Sequence, residues 1–292
     1  MTYCVAIRLQ AGMVFLSDSR TNAGVDQIGM CRKMHVFEKP GDRLMVMMTA
    51  GNLSVSQSIR HVINEHVNAR GNTIWTAASM HEAAEIVRDA IRIVHAQEAE
   101  QLEEFGLNFN IGLILGGQIG TEQCRLFHFY SAGNFIESHH ENPYFQIGEA
   151  KYGKPILDRV ITPETSLDDG AKCALISMDS TLRSNISVGL PLEMLVYEAG
   201  SLKLTRFVTI DERDEYFRSI RENWGKQLKA AFEEIAAPLW KTPGADADQA
   251  HPQAIGGNSK TTNPIRMRPP AVKQIVSVQP DQSPTSQRPE TG

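Results

Sequence analysis

The sequence predicts an α+β protein of four layers, an α-β-β-α sandwich in which two antiparallel sheets face each other and helices cover each outer face. Three observations predict it. Strand-type alternation fills the first fifty residues and returns near 107–147 and 193–210. Between these stretches lie helix-periodic segments in pairs, so the order is strands, two helices, strands, two helices, strands. Of the 292 residues, 41% are apolar, enough for a large buried core. Stacking two sheets beneath helices is the simplest way to cover every apolar face.

Taken in order, Tyr3, Val5, Ile7 and Leu9 alternate with Cys4, Ala6 and Arg8, and Gln10-Ala11-Gly12 supplies a tight turn into a second strand, Met13 to Asp18. Arg32 to Glu38 and Arg43 to Thr49 read as further strands joined by Lys39-Pro40-Gly41-Asp42, whose proline and glycine suit a hairpin turn. These four segments are expected to form one antiparallel sheet. After Ala50-Gly51 the period changes, and Val55, Ile59, Val62, Ile63 and Val67 recur at helical spacing behind Asn52 or Ser54 as a cap. Ala77 to Leu102 reads as a longer helix with Met80, Ala84, Val87, Ile91 and Val94 on its buried stripe. Glu98, Glu100, Glu103 and Glu104 mark its solvated face.

Strands resume at Leu107 to Leu115, Leu126 to Tyr130, near Phe135 and at Tyr144 to Ile147, building the second sheet. Helices over Ala150 to Val160 and Leu167 to Asn185 precede strands over Glu193 to Glu198 and Leu202 to Ile210. A last helix, Glu212 to Ala237, carries Phe217, Ile220, Trp224, Leu228 and Phe232 on its apolar side. Beyond Trp240 the composition shifts: eight of the fourteen prolines fall there and no aromatic residue does. Such a segment cannot bury enough surface to offset its ordering entropy. The expected organisation is one domain over residues 1–240 and a Pro-rich disordered tail over 241–292.

A net charge of -5 with interspersed signs leaves no basic stripe, so nucleic acid and anionic membranes are not expected partners. No basic leader precedes an apolar segment, and no stretch approaches a membrane span, which points to the cytoplasm. Cys4, Cys31, Cys124 and Cys173 lack C-x-x-C spacing and suit reduced thiols. Gly116-Gly117-Gln118-Ile119-Gly120 is followed by a strand-like run and reads as a hairpin turn rather than a phosphate loop. His139-His140-Glu141 would place adjacent ligands on opposite faces of a strand, and reads as a polar loop.

The chemistry is sought at the N-terminus. A small second residue permits removal of Met1, leaving Thr2 with a free α-amine beside its hydroxyl, so nucleophile and base share one residue. An α-amine with an ordinary pKa of about 8 can accept the hydroxyl proton directly or through one water. Asp18 ends the second strand, where antiparallel pairing returns it to the N-terminus. Lys33, read as opening the next strand of that sheet and held by Asp18, would stabilise the Thr2 alkoxide and depress the amine pKa. Gly51 sits at a strand-to-helix junction, where a free N–H can face a developing oxyanion.

Thr2, Ser17-Asp18-Ser19-Arg20, Arg32-Lys33-Met34 and Ala50-Gly51 together resemble the proteasome β-subunit pattern, an N-terminal-nucleophile hydrolase fold. Thr2-Tyr3-Cys4-Val5-Ala6-Ile7-Arg8-Leu9 and Ser184-Asn185-Ile186-Ser187-Val188-Gly189-Leu190-Pro191 resemble in particular its bacterial Anbu branch, related to the HslV peptidase. The similarity spans residues 2–240. It implies a threonine-type peptidase with Thr2, Asp18, Lys33, Gly51 and Ser187 as catalytic residues and with no metal or organic cofactor. It further implies peptide or unfolded-protein substrates, a homo-oligomeric ring or open helical assembly, and an unfoldase or adaptor as accessory partner, with helix faces such as Ile59 to Val67 serving subunit contacts. Ser19 and Arg20 are set beside these as orienting or substrate-facing residues. The sequence departs from the family at Glu149, which stands where a serine of a Gly-Ser-Gly turn would be, and at Ser184, which replaces an aspartate. These departures keep a second reading open, a weak or silent assembly subunit that scaffolds or binds peptides.

Overall fold

The computed structural model describes residues 2–22 and 28–239, so the tail expected to be disordered lies outside the described residues. In chain order the elements are β1 (Tyr3–Leu9), β2 (Gly12–Asp18), β3 (Arg20–Asn22), β4 (Ile28–Met30), β5 (Met34–Lys39), β6 (Arg43–Gly51), α1 (Leu53–Glu65), α2 (Met80–Glu104), β7 (Ile111–Ile119), β8 (Arg125–Phe129), β9 (Phe135–Glu137), β10 (Tyr144–Gly148), α3 (Lys154–Val160), α4 (Leu167–Ser184), β11 (Leu192–Glu198), β12 (Arg206–Ile210) and α5 (Glu215–Glu234).

Two five-stranded antiparallel sheets form the centre, in the orders β10-β1-β2-β11-β12 and β5-β6-β7-β8-β9, with β3-β4 as a separate ribbon. The expected four-layer α-β-β-α sandwich is the observed one. Three cores account for it. Tyr3, Val5, Ile7, Leu16 and Val14 pack outward against Leu157, Met178 and Phe217 of α3, α4 and α5. Cys4, Ala6, Met13 and Phe15 pack inward on Val46, Met48 and Ile114 of the second sheet. Met45, Met47 and Leu115 of that sheet pack outward on Ile59, Val87 and Ile91 of α1 and α2.

The first fifty residues do not form one sheet. β1 and β2 belong to one sheet and β5 and β6 to the other, and the free edge of β2 is taken by β11 with Leu192 opposite Asp18. The physical reason lies in the burial of β1 and β2 on both faces, which demands cover on each side. Folding the second hairpin back over the first supplies one of those covers.

Local signals set most boundaries. Asn52 caps α1 by accepting the Ser54 N–H, and Ser166 and Asp214 cap α4 and α5. The long helix starts at Met80 because Ser79 accepts the Glu82 N–H while Glu82 reaches back to the Ala78 N–H, a capping-box arrangement. Gly116 through Ile119 belong to β7, and the hairpin turn begins only at Gly120. A side chain at Gly116 would crowd Leu126, Met13 and Phe15, so this glycine lets the two sheets approach closely. His139-His140-Glu141 is a loop, as expected.

Two expectations about surfaces fail. Ile59 and Ile63 are fully buried against the helical layer's own core, which removes them from any subunit contact and leaves Val67 exposed. On α5 only Phe217 and Ile220 are buried, while Leu228 and Phe232 are exposed. The apolar period continues past the point where α5 still packs on the core below it. No described helix is long and apolar enough to cross a membrane.

Candidate active site

The register of β1 on β2 builds the site. Cys4 lies opposite Ser17, so Asp18 falls beside the start of β1, where its Oδ1 accepts the Tyr3 N–H at 3.0 Å. Lys33 approaches from the other sheet. It precedes β5 rather than opening a strand beside β2, and its carbonyl accepts the Thr49 N–H at 3.0 Å from β6. Its ammonium donates to Asp18 Oδ1 at 2.7 Å and to the Arg20 carbonyl at 2.6 Å. Both side chains are buried, Asp18 at 0% and Lys33 at 5% exposure, so the pair has little water to screen it. Burial pushes the Asp18 carboxyl above the usual carboxylate range, and the Lys33 charge and the donated hydrogen bonds pull it part of the way back. Asp18 Oδ2 makes no hydrogen bond among the described residues.

Thr2 lies at the mouth of the sandwich. Its carbonyl accepts the Glu149 N–H at 2.8 Å, and Tyr3 pairs with Gly148 of β10. Gly148 has φ +81°, and a Cβ there would strike the Thr2 carbonyl, so glycine is required where the β10 turn clasps the N-terminus. Tyr3 anchors the segment from the other face through its hydroxyl, which meets Ser177 at 3.0 Å and Gln146 at 2.5 Å. Thr2, Lys33 and Gly51 line a single cleft of about 50 Å³. Gly51 ends β6 at φ +110°, with the neighbouring Asn52 N–H bonded to the Asn110 carbonyl at 2.9 Å.

The other expected residues divide. Glu149 is at hand through its backbone, its side chain is 12% exposed, and its Oε2 lies 3.5 Å from Lys151 without a hydrogen bond. Ser184 closes α4 and is exposed, and Ser187 is half-buried, its N–H held at 2.9 Å by Asn185; neither lines the cleft. Ser19 and Arg20 fasten the segment that carries Ser187. Ser19 Oγ donates to the Pro191 carbonyl at 2.6 Å, and Arg20 donates to the Ile186 carbonyl at 3.1 Å with Gly189 pressed against its guanidinium. Neither lines the cleft.

Sequence reasoning missed Glu193. It stands opposite Ser17 on β11, is 4% exposed, and pairs with Arg32 at 3.1 Å, while its Oε2 and the Ser17 hydroxyl have no hydrogen-bond partner among the described residues. Burial holds its carboxyl above the usual range, with Arg32 opposing. The signal was present: a glutamate at the inward-facing position of a strand whose neighbours are apolar. The same burial pushes the Cys4 thiol, beside Asp18 and Glu193, far above its ordinary pKa and leaves it inert as a nucleophile.

No protein-family model matches the chain, and no curated protein sequence does. Solved structures match over most of its length. Anbu, described as an ancestral β-subunit, from Yersinia bercovieri is 46% identical with a TM-score of 0.75, covering 82% of this chain and 100% of that one. The helical assembly of the Anbu complex from Pseudomonas aeruginosa matches at 42% identity and a TM-score of 0.76, covering 81% and 98%. Anbu from Hyphomicrobium sp. strain MC1 matches at 43% identity and a TM-score of 0.73, covering 80% and 98%. With this identity over four fifths of its length, and with two sheets stacked in the same architecture, the chain belongs to the Anbu branch of proteasome-like β-subunits.

Proposed function

We propose that the chain is a threonine-type peptidase in which Thr2, freed by removal of Met1, is both nucleophile and base. The observation that carries this reading is the buried Lys33–Asp18 pair, whose lysine lines the same cleft as Thr2. A desolvated ammonium there favours the Thr2 alkoxide over the alcohol as the proton leaves. The α-amine takes the hydroxyl proton, Oγ attacks the amide carbonyl, and the oxyanion is met by the Gly51 N–H. The amine then protonates the departing nitrogen, leaving an acyl ester on Thr2. Water, deprotonated by the same amine, attacks that ester and restores the hydroxyl and the free acid.

The fit with a peptide substrate rests on the open cleft beside the nucleophile, and no step calls for a cofactor. A cytoplasmic protein assembling with copies of itself belongs to the same reading, supported by the helical assembly of the Pseudomonas aeruginosa relative. Ser187 is a positioning residue in it, acting through the segment that Ser19 and Arg20 fasten.

One observation favours a second reading, a catalytically weak or silent assembly subunit. Glu149 is tied to the Thr2 carbonyl through its backbone N–H and carries a largely buried carboxylate, and a carboxylate that reaches the α-amine favours its protonated form, which is no base. Intact and peptide mass spectrometry after treatment with an epoxyketone or a β-lactone separates the two. The peptidase reading requires loss of Met1 and an adduct on Thr2 that vanishes in Thr2→Ala. Retention of Met1, or no adduct on a processed Thr2, leaves the assembly reading standing.

A further inference from the structure

The walls of the cleft beside Thr2 are unusually one-sided in charge. Arg32, Lys33 and Arg60 line it together with His35, and among the described residues no carboxylate does. Lys33 is paired with Asp18 and Arg32 with Glu193, so the two buried carboxylates behind the wall account for two of the three cations. Arg60 is left over. Its side chain is exposed and makes one hydrogen bond among the described residues, to His35 Nδ1 at 3.4 Å. Burial, with the charges of Arg60 and Arg32, lowers the His35 pKa to about 4, so at neutral pH the ring is an acceptor that steadies the guanidinium and adds no charge of its own.

The placement follows from helix geometry. Leu53, Gln57 and Arg60 recur on α1 at spacings of four and three, which puts them on one face, and that face lines the cleft. A guanidinium has five donors in a planar fork, and one bond to His35 leaves capacity for two parallel bonds to a carboxylate. Among the described residues no carboxylate meets that fork.

We propose that this cleft selects a carboxylate, the Asp or Glu side chain of a peptide substrate next to the amide to be cleaved, and that Arg60 is the residue that reads it. The inference rests on the assignment of Thr2 as nucleophile only for the identity of the cleaved bond. A free peptide C-terminus carries the same chemistry, so amidated and free peptides separate the two sources.

Two measurements on the full chain test it. In the first, peptide epoxyketones that differ only in the residue next to the warhead, Glu, Leu or Lys, are compared by the rate of adduct formation on Thr2. The Glu probe is expected to label at least about fivefold faster than the Leu probe, the Lys probe slowest, and Arg60→Gln to remove the advantage of Glu. In the second, fluorescein-labelled, amidated hexapeptides with or without a central Glu bind Thr2→Ala, read by anisotropy. The acidic peptide is expected to lose about fivefold in affinity when Arg60→Gln is added, and to lose its advantage in high salt. Adducts that form at equal rates with all three probes, or a Glu preference that survives Arg60→Gln, overturn the inference and leave the peptidase reading intact. Arg60-dependent binding without any adduct keeps the inference and removes the peptidase reading. Preference for free over amidated termini with no preference for Glu overturns the side-chain assignment.

Discussion

Lys33 and Asp18 meet at 2.7 Å from opposite sheets, Asp18 at the end of β2 and Lys33 just ahead of β5, so one buried ion pair ties the two halves of the sandwich together beside Thr2. Its geometry gives it both a structural and an electrostatic role. The Asp18 oxygen that takes the ammonium also takes the Tyr3 N–H, which links the pair to the backbone of the candidate nucleophile's neighbour.

Lys33→Met should therefore fail twice. Removing the ammonium leaves Asp18 buried without its counter-charge, to be either stranded as a carboxylate or neutralised by taking up a proton, a loss of about 3 to 5 kcal/mol that a denaturant titration reads. Replacing both partners by Lys33→Met with Asp18→Asn should recover at least half of that loss, because no charge is then stranded. Labelling of Thr2 should stay about a hundredfold below the native rate in both variants. A double variant that regains labelling together with stability would show that the pair acts only as a clamp.

Glu149 gives a test whose sign can be worked out. A carboxylate near the α-amine stabilises the ammonium, so the amine becomes a base only at higher pH. In Glu149→Gln the amine should lose its proton at lower pH, moving the acid limb of the pH profile for Thr2 labelling downward by about one unit, or about tenfold in rate below that limb. In Glu149→Asp the limb should stay within a few tenths of a unit of the native one. An acid limb that does not move in Glu149→Gln means the carboxylate does not sense the amine.

Much of this was legible in the sequence, and what was not has a physical reason. Alternation at Tyr3 to Asp18 and at Arg43 to Thr49 identifies strands and their faces, but period two does not say which strand lies next to which. Period two alone therefore sets β5 and β6 beside β2 where the fold stacks them over it, and it sets Lys33 in the wrong sheet although opposite the right partner. Thr2, Asp18, Lys33 and Gly51 were readable because each sits at the end or edge of a strand, where turn chemistry leaves a mark. His35, Arg60 and Glu193 leave no such mark, and the pairing of Arg32 with Glu193 likewise arises only when elements distant in sequence converge, a long-range arrangement that local pattern does not encode. The start of α3 was missed for a similar reason: the chain from Gly148 to Gly153 turns around Thr2 and Tyr3 before helix can begin at Lys154.

Away from the site, Glu82 should govern acid stability of the helical layer. Its carboxylate accepts Asn68 and Asn72 at 2.9 Å each and the Ala78 N–H at 2.7 Å, fastening the 66–79 connection to α2. The Asn72 hydrogen bond, then those from Ala78 and Asn68, lower its pKa to about 2. Because the folded pKa lies below the unfolded one, this contribution is present above about pH 4.5 and is lost as pH falls toward about 2. Glu82→Gln should cost about 1 to 2 kcal/mol at pH 7, and the difference from the native chain should shrink over that window. A destabilisation independent of pH from 7 to 3 would assign the effect to packing instead.

Gly148→Ala isolates the positioning of Thr2 from its chemistry. At φ +81° an alanine is strained by about 1 kcal/mol or more, and its methyl group would meet the Thr2 carbonyl that Glu149 N–H must reach. The β10 turn has to back away from β1, which lengthens that hydrogen bond and lets the N-terminal residue swing while Lys33–Asp18 stays buried. Labelling of Thr2 should fall by about a hundredfold, whereas the unfolding free energy should drop by only about 1 to 3 kcal/mol. Gly41→Ala serves as the control, because that glycine has a similar φ of +79° with open space around it and sits in the β5–β6 turn, at the opposite end of those strands from Lys33 and Gly51. If the two variants lose stability alike and both label normally, the clasp of β10 on Thr2 has no part in holding the nucleophile.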